Sequence, residues 1–161
     1  MSLLAPFDVE PLVDGRQSPA ALKVRRGVGR LLRDLGAAVV PELILGSGRR
    51  ADLVAIDERG EVTIVEIKSC LADYRADAKW HHYLAACDRF YFATTPETGD
   101  VFPPEEGLIV TDGYEAEVVR EARVRRLPAP ARRAMTLRIA QTAARRLHEI
   151  EDPAARIVAP L

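Results

Sequence analysis

Two acidic residues and a lysine in an otherwise apolar part of the chain could do chemistry together: Asp52, Glu66 and Lys68. Glu66 and Lys68 lie two positions apart in Glu61–Lys68, whose β-branched and aliphatic residues predict a buried strand. Both side chains should therefore point to the same face of that strand. A carboxylate and an ammonium placed there cost desolvation energy unless they are paired or bind a ligand. The pattern indicates a functional site or a buried ion pair.

Two turns set the predicted register of the strands around these residues. If Gly46–Gly48 and Glu58–Gly60 are three-residue loops with the last glycine in the left-handed conformation, Glu42 lies opposite Asp52, and Asp52 opposite Glu66. Like charges directly opposite each other destabilise a sheet, so a divalent cation among the three carboxylates would explain them. Such oxygen ligands suit Mg²⁺ or Mn²⁺. A two-residue loop would instead flip the parity of the strand.

Carboxylates, a divalent cation and a lysine are the groups that phosphodiester hydrolysis needs. The cation polarises the phosphate and lowers the pKa of bound water, and the lysine orients or deprotonates that water or stabilises developing charge. Only three of the 23 basic residues are lysines, so Lys68 could fill a role that a guanidinium cannot. Alternatively, Asp52 and Glu66 could form a structural ion network with Arg49, Arg50 and Lys68.

The elements that must position these residues alternate between helix and strand. Ser18 followed by Pro19 predicts the start of a helix that ends at Gly36. An antiparallel meander of three strands follows, then a helix, two more strands, a basic segment that could be strand or helix, and a last helix. We expect these at residues 39–45, 51–56, 61–68, within 71–87, and at 89–94, 108–111, 116–127 and 131–149, with Met135, Ile139, Ala143 and Leu147 on the buried face of the last helix. The pattern predicts one α/β domain with a mixed sheet.

Length and composition are typical of one globular domain. A chain of 161 residues can build one core, and 48% hydrophobic with 29% charged residues is ordinary usage. No apolar run reaches the length of a membrane span, and the N-terminus lacks the pattern of a secretory signal, so we expect a cytoplasmic protein. Cys70 and Cys87 form no disulfide framework or zinc motif. We expect an irregular arm over residues 1–17, the domain over 18–150 and a tail over 151–161.

Positive charge is concentrated near the C-terminus, although the net charge is −1. Nine arginines lie between Arg120 and Arg146, against a single acidic residue, Glu121. Such a segment could face an anionic partner such as DNA. It could equally be a solvated helix face.

The segments RRADLVAI and VTIVEIK resemble the PD-(D/E)XK nuclease superfamily, because thirteen residues separate Asp52 from Glu66-Ile67-Lys68. The resemblance implies a restriction-endonuclease-like mixed sheet flanked by helices. It also implies that Asp52, Glu66 and Lys68 are catalytic, and that Asp52, Glu66 and the Ile67 carbonyl hold Mg²⁺ or Mn²⁺. Many of these nucleases carry a further glutamate on the first helix, which is absent here, so Glu42 is a candidate replacement.

A longer stretch, residues 20–147, is similar to the MmcB-related bacterial DNA repair proteins. The similarity lies in GRRADLVAI, in VEIKSCLADYRADAKWHHYLAACDRFYFAT and in the arginine-rich C-terminal helix. It implies a role in DNA repair with DNA as the partner. Where the RecB-like branch carries Q-x-x-x-Y, this chain has Lys79 and Tyr83, four apart and so on one face of a predicted helix. The predicted DNA contacts are Arg49, Arg50, Ser69, Lys79, Tyr83, Arg132, Arg133 and Arg138.

These patterns together predict a DNA repair protein that hydrolyses phosphodiester bonds with a divalent metal. The alternative is a non-catalytic DNA-binding accessory with a nuclease fold, and a third class is a scaffold whose acids only form ion pairs. We expect no membrane and no small-molecule cofactor. The sequence leaves any protein partners in repair unnamed.

Overall fold

The computed structural model describes residues 17–154 and contains three α-helices and six strands within them. The helices are α1 (Pro19–Asp34), α2 (Leu71–Ala76) and α3 (Ala129–Glu151), with two 3-10 helices at Trp80–Ala86 and Pro96–Thr98. The strands are β1 (Ala38–Ile44), β2 (Arg50–Ile56), β3 (Val62–Ile67), β4 (Arg89–Thr94), β5 (Gly107–Thr111) and β6 (Ala116–Arg120). Most of the predicted arm, residues 1–16, and residues 155–161 of the predicted tail lie outside the described residues.

The six strands form one mixed sheet in the order β1-β2-β3-β4-β5-β6. The first three are the predicted antiparallel meander, β4 runs parallel to both β3 and β5, and β6 returns antiparallel to β5. A parallel pair needs a crossover connection, which α2 and the 3-10 helix Trp80–Ala86 supply between β3 and β4. The predicted fold class, α/β with a mixed sheet flanked by helices, is confirmed.

Helices cover both faces of this sheet. On one face α1 buries Val24, Val28 and Leu32, and on the other face Trp80 and Met135 pack into a core. Most of the other core side chains come from the strands, chiefly Leu53, Val65 and Ile109 on the α1 face and Ile64, Phe90 and Phe92 on the other. Within residues 17–154, no helix combines the length and the apolar character that crossing a membrane requires.

A glycine lets α1 approach the sheet closely. A Cβ atom built on Gly27 would lie 2.2 Å from Oγ1 of Thr111 on β5, closer than real Cβ contacts.

The helix α1 begins as predicted, since the Ser18 hydroxyl accepts the N–H of Ala21 at 3.1 Å and Pro19 follows it. The first turn of α1 lies beside Glu42 of β1 and Asp52 of β2.

Both hairpins have the predicted register. Gly48 and Gly60 adopt left-handed φ values of +81° and +77°. The β1–β2 pairs on either side of Glu42 and Asp52 place these two residues at facing positions. Continuing the β2–β3 register by one residue places Asp52 opposite Glu66. The prediction that these acids lie on three neighbouring strands is confirmed.

Within residues 71–87, where one helix is predicted, the structure has two short helices, α2 and the 3-10 helix Trp80–Ala86. After α2, Asp77 leaves the helical conformation with φ −95° and ψ 92°, and its carboxylate accepts the N–H of Lys79 at 2.8 Å. A side chain that bonds the backbone two residues on competes with the helix. Lys79 precedes the 3-10 helix that contains Tyr83, so the two residues do not share a helix face. Lys79 is exposed and Tyr83 is buried.

The predicted buried face of α3 is confirmed only in its first half. Met135 and Ile139 are buried, whereas Ala143 and Leu147 are exposed. Arg146 is buried instead, and its guanidinium donates to two backbone carbonyls of β1. Apolar periodicity could not indicate this arrangement, since a guanidinium presents five N–H donors that can satisfy exposed carbonyls.

Candidate active site

Asp52 and Glu66 meet where β2 and β3 separate at one end of the sheet. Leu53 and Val65 form the last pair of this ladder. One residue further, Oδ2 of Asp52 accepts the backbone N–H of Ile67 at 2.8 Å. The aspartate side chain therefore takes the place of a backbone partner, which fixes its carboxylate beside Glu66.

Burial makes both carboxyl groups difficult to ionise. Glu66 is 7% exposed, and its burial, together with the Asp52 carboxylate, raises its pKa to about 9, against a partial offset from Lys68. Burial also raises the pKa of Asp52, although the N–H of Ile67 and the charge of Lys68 oppose the rise. Two neighbouring acids in this condition are stabilised by an added positive charge.

One oxygen of Glu66 is left without a partner by the residues that the structure describes. Oε2 is buried and makes no hydrogen bond within residues 17–154, and Oε1 lies 3.8 Å from Nζ of Lys68. A buried acceptor without a partner costs about 1–3 kcal/mol. Such an oxygen marks a position where a bound ligand would add a favourable contact.

Lys68 is held by an aspartate that was not among the predicted site residues. Its Nζ lies 2.7 Å from Oδ2 of Asp77, closer than its distance to Glu66. Burial raises the pKa of Asp77, but hydrogen bonds from Lys68 and from the Lys79 N–H outweigh this effect and leave the pKa lowered. The one available sequence signal was an aspartate inside a predicted helix, a residue that favours turns over helix interiors.

Glu42 lies next to Asp52 in register, but its carboxylate has other partners. It is 3% exposed, accepts from Nε2 of Gln17 at 2.5 Å, and lies 2.7 Å from Nε of Arg50 and 3.5 Å from Arg25. Its φ of +52° is unusual for a residue with a Cβ. The role of Glu42 as a metal ligand stays a prediction, and these donors compete with it.

A cavity of about 350 Å³ opens beside Asp52 on the α1 side of the sheet. Its walls come from the first turn of α1, from β1 and β2, and from the segment after β3, and they include Arg25, Arg50 and Ser69. Both signs of charge are therefore present along its walls. The cavity gives a ligand a route to Asp52.

The acids suit a hard divalent cation in donor type. Asp52 and Glu66 offer two carboxylates and Ile67 a backbone carbonyl, and Mg²⁺ commonly binds through one or two carboxylates while keeping several waters. Among residues 17–154, no group of three or more His, Cys, Asp and Glu side chains is arranged to hold a metal. The partnerless oxygen of Glu66 is the feature of this structure that fits Mg²⁺ or Mn²⁺.

Of the five predicted DNA contacts near the site, three have internal partners. Arg50 pairs with Glu42, the Ser69 hydroxyl donates to Asp73, and the buried Tyr83 hydroxyl donates to the carbonyl of Arg50 at 2.8 Å. These contacts give each side chain a structural role. Tyr83 in particular packs in the core rather than presenting its ring to a ligand.

The other two predicted contacts remain accessible. Arg49 is half-buried at the end of the β1–β2 hairpin, and Lys79 is exposed. Both lie close to Asp77, which accepts the Lys79 N–H and is influenced by the charge of Arg49. Their contact with DNA stays a prediction.

The arginine-rich segment is used largely within the fold. Arg132 forms a bidentate ion pair with Asp88, in which two guanidinium nitrogens lie 2.6 and 2.8 Å from the two carboxylate oxygens. Arg138 donates to the Ile44 carbonyl at 3.1 Å. Arg133, by contrast, is exposed on the outer side of α3. Much of the positive charge that suggested a DNA-facing helix therefore stabilises the protein itself, and Arg133 keeps the geometry of a surface cation.

Comparison with known proteins places this geometry in a family. Among the curated proteins, none matches the chain. The solved structure of the SPO1766 protein of unknown function from Silicibacter pomeroyi is similar, with a TM-score of 0.84 and 36% identity over 90% of this chain and 99% of that chain. The family model described as DNA repair protein MmcB-like matches residues 8–154. The predicted resemblance to the MmcB-related proteins is therefore confirmed: this chain belongs to the MmcB-like family of DNA repair proteins.

Proposed function

We propose that this DNA repair protein hydrolyses phosphodiester bonds of DNA at Asp52, Glu66 and Lys68, with Mg²⁺ or Mn²⁺ as the cofactor. The observation that carries the proposal is the buried Oε2 of Glu66, which lacks a hydrogen-bond partner within residues 17–154. It belongs to a carboxyl group whose pKa is raised to about 9 by burial and by Asp52. A cation between the two acids would give this oxygen a partner and would also favour the ionised form of the buried carboxyl groups.

A purely structural ion network accounts less well for the same residues. Such a network would pair the arginines and the lysine with Asp52 and Glu66. Instead, Arg50 lies 2.7 Å from Glu42, and Lys68 lies 2.7 Å from Asp77. Lys68 and Arg50 thus make close contacts with other acids, and this arrangement supports a ligand-binding role for Asp52 and Glu66.

Each residue of the site has a distinct part in the proposed reaction. Asp52, Glu66 and the Ile67 carbonyl would hold the metal, which polarises the phosphate and lowers the pKa of bound water. Lys68, with a compact ammonium close to Glu66, would stabilise charge that develops on the phosphate. Arg49 and Lys79, which both lie close to Asp77, would contact the DNA backbone.

Two observations favour a second candidate, a DNA-binding repair accessory without catalysis. The described residues, 17–154, contain no three-residue group of metal-binding side chains, and Glu42 is occupied by its own donors. A site with two carboxylates could bind a cation weakly. In that case the fold would recognise DNA without cutting it.

A cleavage panel separates the two candidates. Branched, flapped, mismatched and single-stranded DNAs are incubated with Mg²⁺ or Mn²⁺, and Asp52→Ala serves as the matched inactive control. We expect cleavage by the wild type alone, and we expect Mn²⁺ to raise the Tm of the wild type but not of Asp52→Ala, because a ligand stabilises only the state that binds it. DNA binding without cleavage on every substrate would establish the accessory function instead.

A further inference from the structure

The break between α2 and the following 3-10 helix delivers a carboxylate to the site. Asp77 ends α2, where its N–H donates to the Tyr74 carbonyl at 3.1 Å, and its Oδ1 accepts the Lys79 N–H at 2.8 Å. These two backbone contacts fix the direction of the side chain. The other oxygen, Oδ2, is thereby left to face Lys68.

Lys68 is shared unequally between two acids. Its Nζ lies 2.7 Å from Asp77 Oδ2, a hydrogen-bonding distance, and 3.8 Å from Glu66 Oε1, which is beyond one. The side chains of Lys68 and Asp77 are only 10% and 19% exposed, so solvent screens their attraction weakly. The ammonium is therefore anchored on Asp77 and stands off Glu66.

We propose that Asp77 is a positioning residue that holds the Lys68 ammonium away from Glu66, so that the Glu66 carboxylate stays open to a divalent cation. The inference rests on the proposed function, because it assigns the open carboxylate to metal binding. Without the charge of Asp77, the nearest anion to Lys68 is Glu66. A direct Lys68–Glu66 pair would then occupy the carboxylate that the metal needs.

The variant Asp77→Asn tests this arrangement without removing the turn. The Asn side-chain oxygen can still accept the Lys79 N–H, whereas the negative charge that holds Lys68 is lost. We expect Mn²⁺ affinity, measured by titration calorimetry, to fall about tenfold or more, the scale of losing an outer partner of a metal site. Asp73→Asn is the matched control, because it removes one exposed carboxylate of α2 that contacts Ser69 rather than Lys68, and it should change the affinity by less than about twofold.

A second substitution distinguishes positioning from simple loss of charge. In Lys68→Met the competing ammonium is gone, so adding Asp77→Asn should leave Mn²⁺ affinity within about twofold of Lys68→Met alone, a non-additive result. If Asp77→Asn weakens Mn²⁺ binding by the same factor in the Lys68→Met background as in the wild type, Asp77 acts through its own charge and the inference is overturned. The same holds if Asp77→Asn binds Mn²⁺ as well as the wild type.

A spectroscopic measurement keeps the inference testable if the wild type binds no metal, a result that would overturn the proposed function. The chain has three lysines, Lys23, Lys68 and Lys79, so the side-chain ammonium signals in a ¹H–¹⁵N NMR spectrum can be assigned with Lys68→Met. We expect Asp77→Asn to move the Lys68 signal and Asp73→Asn to leave it in place. A Lys68 signal that is unmoved by Asp77→Asn overturns the inference by itself.

Discussion

Two buried acids at opposite ends of neighbouring strands have opposite surroundings. Asp88 lies just before β4 and is 2% exposed. Its carboxylate accepts hydrogen bonds from the backbone N–H groups of Val62 and Leu127 and from two nitrogens of the Arg132 guanidinium. These donors outweigh its burial and leave the pKa of Asp88 lowered. Glu66, at the far end of β3, has one oxygen without a partner within residues 17–154 and a pKa raised to about 9.

The difference between the two shows that burial of an acid does not by itself indicate function. The fold surrounds Asp88 with donors from three separate segments, and the carboxylate in turn ties β3, the segment before α3 and α3 itself together. Glu66 is as deeply placed but receives no comparable set of donors from the part of the chain that the structure describes. An acid that a fold leaves incompletely satisfied is the better candidate for ligand binding.

The comparison predicts that Asp88 carries a large share of the stability. Asp88→Ala leaves the Arg132 guanidinium and two buried N–H groups without their acceptor, and breaking a buried ion pair from one side costs about 3–5 kcal/mol. The free energy of unfolding in urea measures this loss. Asp100→Ala is the control, since Asp100 forms an exposed pair with Arg120 and should cost less than about 1 kcal/mol. If both variants lose the same free energy of unfolding, the contacts of Asp88 contribute no more stability than an exposed ion pair.

The second prediction concerns catalysis at the Glu66 end. Lys68→Arg keeps a positive charge that can pair with Asp77, so we expect thermal stability and DNA affinity to be nearly unchanged. A guanidinium is larger and presents a planar fork rather than a compact ammonium. We therefore expect DNA cleavage to fall by about 10²-fold, the scale of losing one group that stabilises charge in the transition state. Full activity in Lys68→Arg would rule out a role specific to lysine.

Sequence patterns were sufficient to predict the hairpin turns, the register of the first three strands and the order of the main elements, because each is set by a few neighbouring residues. Gly48 and Gly60 set three-residue turns, and the alternation of side chains along the strands then places Glu42, Asp52 and Glu66 in register. The order of helices and strands follows from apolar periodicity and from turn residues. These signals act over a few residues, so one sequence suffices to read them.

What the sequence could not predict depends on contacts between distant segments. Lys68 and Asp77 are nine positions apart, and their pairing requires the helix to break at Asp77. Arg132 and Arg146 look like surface cations by type, but the fold uses them on Asp88 and on the carbonyls of β1. Composition therefore overstated the positive charge available to DNA.

A third prediction uses pH to contrast the two acids, with EDTA present to exclude metal. The pKa of Glu66 rises from 4.5 to about 9 on folding, so its effect on stability is absent below about pH 4.5, and the wild type loses stability as pH rises toward 9. Glu66→Gln should remove this loss and be more stable than the wild type at pH 8, by about 1–2 kcal/mol. Urea unfolding at pH 5, 7 and 8.5 measures the trend, and parallel curves would contradict the raised pKa.

Asp88 should show the opposite dependence. Its pKa is lowered from the usual 3.8 in the folded state, so its contribution is fully present above that pH and is lost as pH falls through the folded value. The stability difference between the wild type and Asp88→Asn should therefore be largest near neutral pH and shrink below about pH 4. A difference that grows on acidification would contradict the hydrogen-bonded geometry.

The smallest expected effect concerns two neighbouring arginines of α3, one that pairs within the fold and one that is exposed. Arg132 is committed to Asp88, whereas Arg133 is exposed. If Arg133 contacts a DNA phosphate, Arg133→Gln should leave the Tm unchanged and reduce the salt dependence of duplex binding by a slope of roughly 0.9, the value for one lost contact. Arg132→Gln should lower the Tm and leave that slope as it is, because its guanidinium already serves a buried carboxylate. Binding measured across a series of salt concentrations gives the slopes, and an unchanged slope in Arg133→Gln would mean that DNA does not reach this part of α3.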